Sequence, residues 1–253
     1  MRTVVVPMVV VATVATATLF AGQSPAPDRV PVVVELFTSE GCSSCPPADA
    51  VLSKLAAESP TPDVQVIPLG MHVTYWDQLG WKDPASLALA TERQQNYSRV
   101  FGADRVYTPQ AIVDGREELV GSEEAALRRQ IAKAAQQPHA RLSVNPRVDG
   151  DSLTADVAIA ATPPALKEKL AALMIVTEDG LTSVVKRGEN GGRTLHSDAV
   201  VRALVGSEVA SGTVPALHAT LRPEWHRERL HVVVLLQGKS SQRIWGAATA
   251  PLK

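Results

Sequence analysis

The chain has two cysteines, Cys42 and Cys45, and they stand where one kind of segment gives way to another. That junction limits what the chain can build. "VPVVVELF", residues 30–37, is β-branched and of buried-strand length, and "TSEG" breaks it. After Cys45, the residues Ala48, Val51, Leu52 and Leu55 recur at i, i+3, i+4 and i+7, one face of a helix. Pro46 and Pro47 fit only the first turn of such a helix, where a missing N–H costs little. Cys42 is therefore expected at or just before a helix N-terminus, beside free amides and the positive end of the dipole. A thiolate is stabilised there, which makes Cys42 an exposed nucleophile and Cys45, one turn in, the thiol that resolves its adducts.

Other readings of a C-x-x-C pair stay open. A staple closes too short a loop to gain much from chain entropy. Structural zinc needs two further ligands, and of the six histidines only His226 and His231 have finger-like spacing, far along the chain. A copper site is the alternative metal reading, with Cys42, Cys45 and His72 as ligands, because soft thiolates select Cu(I).

The rest of the first half alternates strand-like and helix-like runs. "DVQVIPLG", 63–70, reads as a strand. "KDPASLALATERQQNYSRVF", 82–101, reads as a long helix capped by Asp83 with Pro84 in its first turn. "TPQAIVDGREELVG", 108–121, reads as two short strands joined at Asp114-Gly115, and Ser122 caps a final helix over 122–137. Strand, C-x-x-C, helix resembles the thioredoxin active site, and the order β-α-β-α-β-β-α resembles the thioredoxin order. In thioredoxin-like proteins a cis-proline opens the third strand and faces the cysteines. The resemblance gives that role to Pro109 and leaves the Thr108 backbone to pair with an extended peptide. Two departures from thioredoxins are plain: Ser43-Ser44 replaces the usual Gly-Pro, and no Trp precedes Cys42.

Glu35 interrupts the apolar run of its strand. It is either a buried proton acceptor for Cys45 or a carboxylate bonded in a polar corner. "MHVTYWDQLGWKD", 71–83, is aromatic-dense for a chain with 4% aromatic residues. His72, Tyr75 and Trp76 are candidates for a substrate rim, and an aromatic-anchored loop over the core edge is the structural alternative.

From about residue 140 short alternating segments with Gly or Asp turns replace the helices, the pattern of a β-sandwich. The least strand-like part, "RGENGGRTLHSDAVVR", 187–202, offers Glu189, Asn190, Arg193 and His196 on a glycine-rich loop that could reach the cysteine-bearing half. The expected fold class is thus an α/β thioredoxin-like domain, 31–138, followed by an all-β, sandwich-like domain, 139–253. The N-terminus, "MRTVVVPMVVVATVATATLFAG", has the charge, apolar run and small residues of an export signal over 1–22, with a linker over 23–30. Localisation is then exported, periplasmic or extracellular, with no membrane span after cleavage. A net charge of −1 provides no basic footprint for nucleic acid.

"ELFTSEGCSSCPPAD", "HVTYWDQLGWKD", "TERQQNY", "VYTPQ" and "GENGGRTLHSDAVVR" together resemble an exported bacterial family of unknown function, with a thioredoxin-like domain followed by a β-rich one. The function expected is thiol–disulfide exchange on a protein or small-molecule thiol or disulfide through Cys42 and Cys45, with no organic cofactor. A copper carrier and a non-catalytic binding or adaptor protein are the competing classes.

Overall fold

The computed structural model describes residues 29–58 and 61–252. The expected signal segment and all but the last two residues of the expected linker lie outside them. The elements in chain order are β1 (Val30–Thr38), α1 (Pro46–Ala57), β2 (Val64–His72), α2 (Ala88–Phe101), β3 (Gln110–Val113), β4 (Glu117–Val120) and α3 (Glu124–Ala135). There follow β5 (Arg141–Asp149), β6 (Ser152–Ala161), β7 (Leu170–Glu178), β8 (Leu181–Val184), β9 (Thr194–Ser197), β10 (Val200–Glu208), β11 (Leu217–Thr220), β12 (Leu230–Gly238) and β13 (Ile244–Pro251).

The expected fold class does not hold. Instead of a thioredoxin-like α/β domain beside a separate all-β sandwich, one mixed eight-stranded sheet runs through both halves of the chain, in the order β13-β12-β7-β10-β2-β1-β3-β4. β1 and β2 are parallel, and the seam between the halves is the parallel pair β2–β10. That seam is short: Val200 stands opposite Gly70, and the Gly70 amide donates to the Ala199 carbonyl at 2.8 Å. Ala199, at φ +52°, delivers β10 to this edge.

Burial explains why the halves do not separate. One face of the large sheet carries a continuous core in which Val33, Phe37, Ile67, Leu69 and Met71 from the first half pack with Ile175, Val201, Val233 and Leu235 from the second. Alternate residues of β1 point to the opposite face, where Val32, Val34 and Leu36 meet α1 and α3 through Leu52, Leu55, Leu127 and Ile131. Beyond the seam that same face is covered by a three-stranded sheet, β11-β6-β5, with Leu153, Ala155 and Leu217 packed on Met174, Val176 and Val232. Covering such an area of apolar surface at about 25 cal/mol per Å2 is the dominant favourable contribution to folding.

α2 crosses the continuous face and ties the halves together. Glu35 of β1, fully buried, accepts two hydrogen bonds from the Arg93 guanidinium and one from the Tyr97 hydroxyl. Arg93 also donates to Gln237 of β12 at 2.9 Å, and Gln237 donates to the Tyr97 hydroxyl at 3.1 Å. No helix among the described residues is long and apolar enough to cross a membrane.

Candidate functional site

β1 ends in a tight turn. The Thr38 carbonyl accepts from the Val73 amide at 2.9 Å, and the Ser39 carbonyl accepts from the Cys42 amide at 3.1 Å. Ser39 Oγ takes the Gly41 amide at 3.0 Å. Glycine at 41 lets the turn lie against Trp76, whose Cβ would be 3.2 Å from any Cβ added there. Cys45 is the N-cap of α1, with both prolines in the first turn, and its carbonyl accepts the amides of Ala48 and Asp49. Cys42 and Cys45 form a disulfide with Cα atoms 5.4 Å apart. The Ser44 hydroxyl lies 3.3 Å from Cys42 Sγ.

Both cysteines are fully buried, whereas the sequence led us to expect an exposed Cys42. The second half of the chain grips the turn that carries them. The buried Asn190 amide donates to the carbonyls of Glu40 and Cys42, both at 2.9 Å. Its own oxygen accepts from Arg193 Nη1 at 2.8 Å. Glu189 Oε2 accepts the amide of Ser43, between the cysteines, at 3.0 Å. His196 does not join this group. It sits exposed on β9, sharing a hydrogen bond with Thr182 at 3.0 Å.

Around the disulfide lies a set of titratable groups largely missed by sequence reasoning. Burial pushes Asp49 up to about 6, against the pull of His72. Burial alone would lower His72, but Asp83, at 2.7 Å from its Nδ1, together with Asp49 and Glu40, raises it to about 9. Asp83 is itself held low by that imidazolium despite its burial, and it also accepts the amides of Glu40 (2.9 Å) and Ala85 (2.8 Å). Glu40 turns inward to accept from Trp81 Nε1 at 2.7 Å and Ser183 Oγ at 2.9 Å, and burial raises its pKa. Asp49 is the legible member, a carboxylate four residues after Cys45 on a helix face otherwise built of Ala48, Leu52 and Leu55. Asp83 reads as a helix cap, but its carboxylate is taken by His72 and the Glu40 amide, and α2 begins later, at Ala88.

The other candidates divide. The Thr108–Pro109 peptide is cis. Pro109 lies near the first turn of α1: a Cβ added at Gly121 would be 3.5 Å from Pro109 Cβ and 3.2 Å from Ala48 Cβ. Thr108 Oγ1 accepts from Trp76 Nε1 at 2.8 Å. The Tyr75 hydroxyl donates to Gln94, which in turn donates to the Tyr107 carbonyl at 2.7 Å. Trp76 and Tyr75 thus hold the proline loop. Glu35 is not brought to the cysteines, since it lies on the α2 face of the sheet and α1 lies on the other. Among the described residues no group of three or more His, Cys, Asp or Glu side chains is arranged to hold a metal ion. His72 is committed to Asp83 rather than to the sulfurs.

A family model described as "Protein of unknown function (DUF1223)" matches residues 33–237. Among solved structures, protein AGR_C_4864 from Agrobacterium tumefaciens is similar at 27% identity, over 89% of this chain and 96% of that one, with a TM-score of 0.63. HBP35 of Porphyromonas gingivalis shares the fold at 15% identity, over 88% of this chain and 76% of that one, with a TM-score of 0.66. No curated protein matches.

Proposed function

We propose, for a chain that belongs to this family of unknown function (DUF1223), that Cys42 and Cys45 carry out thiol–disulfide exchange in an oxidising compartment outside the cytoplasm. The carrying observation is a disulfide closed across two residues at the N-cap of a helix, where a thiolate formed on reduction has amides and the helix dipole beside it.

In the reducing direction the Cys42 thiolate attacks a substrate disulfide, forms a mixed disulfide and expels one substrate thiolate. The Cys45 thiolate then attacks Cys42 Sγ, expels the second substrate thiolate and restores the Cys42–Cys45 bond. Two electrons pass to the substrate, and the reverse sequence oxidises a dithiol. Asp49, one turn beyond Cys45 and pushed up to about 6, takes the Cys45 proton in one direction and returns it in the other. His72, positive through neutral pH, balances the carboxylates around it. A disulfide that persists suits an exported protein, in line with the N-terminal sequence.

The test is equilibration of metal-free, folded protein with glutathione buffers, read by thiol alkylation and mass. Wild type should cycle between disulfide and dithiol, C45S should accumulate a mixed disulfide on Cys42, and C42S should not. Because both sulfurs are buried, a pair that resists reduction until the protein unfolds would instead assign the disulfide a structural role.

A further inference from the structure

The loop that grips the cysteine turn also takes the amide of Ser43, the residue that follows Cys42. We infer that Glu189 and Asn190 form a latch that favours the disulfide over the dithiol, so that a loop from the second half of the chain sets the reduction potential of the pair. The inference rests on the exchange reading above and deepens it to regulation of the same site.

Reduction by glutathione breaks the Cys42–Cys45 bond, with two glutathione thiols supplying two electrons and two protons and leaving as one disulfide. A thiolate at Cys42, once its proton is released to solvent, draws on the amides of the turn that opens α1. The first of these, on Ser43, is already engaged by the Glu189 carboxylate at 3.0 Å. In the disulfide form no anion competes for that amide and the bond stands unopposed. In the dithiol form two negative charges converge on it and repel each other, so Glu189 penalises the thiolate. Hydrogen bonds from Ser43 hold Glu189 below the usual carboxylate range, and it keeps its charge throughout the pH range of exchange.

Asn190 supplies the fixed geometry. Its amide bridges two carbonyls of the cysteine turn while Arg193 orients it from behind, so the neighbouring Glu189 is delivered to Ser43 rather than to solvent. Other charged groups on the elements about the pair are Asp49 on α1, His72 on β2, Glu40 in the cysteine turn, Asp83 in the loop before α2, and Arg187 and Arg193 on the latch loop itself. All of them remain when Glu189 is changed. Glu189 and Asn190 are positioning residues: they act through the backbone on Cys42 and touch no reacting atom.

Four proteins test this: wild type, E189Q, E189D and N190A. Each is measured for its glutathione equilibrium constant and for the Cys42 thiol pKa, followed as thiolate absorbance, at low and at high salt. Near-ultraviolet circular dichroism checks that each is folded. E189Q should move the equilibrium towards dithiol by about three- to tenfold at low salt, where tenfold is about 30 mV for a two-electron couple. The thiol pKa should fall with it, and the difference should shrink in high salt because the charge is exposed. E189D should stay near wild type. N190A should shift the equilibrium in the same direction as E189Q and also speed alkylation of the reduced pair. If E189Q equals wild type in both potential and thiol pKa at low salt, the latch is overturned while the exchange reading stands. If the wild-type pair cannot be cycled at all, the exchange reading falls and the latch with it.

Discussion

Asp49 and His72 carry opposite charges, yet both make the folded protein less stable as pH rises. Asp49 is raised from 3.8 to about 6 in the folded protein. The stability its protonated form contributes is complete below about pH 4 and is lost as pH climbs through 6. His72 is raised from 6.5 to about 9, so its contribution is complete below 6.5 and fades through 9. Urea midpoints taken from pH 4 to 10 should therefore fall in two steps. D49N should abolish the lower step and gain up to about 3 kcal/mol at neutral pH, from a shift of about two units. H72Q should abolish the upper one. A wild-type profile flat between 6.5 and 9 would refute the His72 assignment. Arg93 has a different kind of effect: R93A leaves the buried Glu35 without its counter-ion, held only by the Tyr97 hydroxyl, and should cost about 3–5 kcal/mol by chemical denaturation. Replacing Glu35 and Arg93 together by apolar residues should cost much less.

At the scale of elements, local signals were good guides wherever a short-range rule decides the geometry. The Asp114-Gly115 pair forms the centre of the turn from β3 to β4, closed by the Arg116 amide on the Val113 carbonyl, with both residues at positive φ, +48° and +63°, as a type I′ turn requires. Gly150-Asp151 turns β5 into β6, with only Gly150 at positive φ, +57°. Gly115 has a second constraint that no local rule announces: a Cβ there would fall on the Gln242 carbonyl, in the turn between β12 and β13. G115A should consequently lower the melting temperature by several degrees or more, well beyond the loss of backbone freedom alone. G150A, where nothing lies within 4 Å, should lower it less. Helix ends were read less well. Ser122 and Asp83 look like caps, but α3 starts after Glu123 and α2 after Leu87, neither with a side-chain cap bond, because Asp83 is drawn into the site by His72. The cysteine turn itself was legible from its two residues and two prolines. Its cover was only half so, since the loop's sequence gives its glycines and polar residues but not where they dock.

For the whole molecule, most strands of the second half were visible as alternating segments, but β9 and β10 were not, since they begin within the stretch read as least strand-like. Alternation also says which face is buried and not which strand lies next door. β7, β10 and β12 extend the first half's sheet instead of closing a sandwich of their own, and the core on the α2 face takes residues from both sides of the seam. The full chain should therefore unfold in a single cooperative transition, with fluorescence and circular dichroism midpoints coinciding. A fragment spanning 29–138, which exposes the β2 edge and half of that core, should bind hydrophobic dye and lack a sharp transition. A fragment that melts cooperatively at the full-length temperature would contradict this.

The brevity of the β2–β10 seam has a mechanical meaning. Elsewhere adjacent strands are laced over most of their length, as β1 is to β2 from Val30 to Thr38, whereas here Val200 opposite Gly70 is the whole of the register. Under tension drawn across the sheet, this line bears the load on the fewest rungs and is where a tear would start. What resists the tear lies away from it: the shared core and the Arg93–Gln237 bond on one face, the Ile244 amide on the Asp114 carbonyl at 2.9 Å, and at one end the grip of Asn190 on the cysteine turn. An optical trap pulling on residues 30 and 250 would feel the protein as two stiff plates glued face to face, with the thinnest seam along their shared edge.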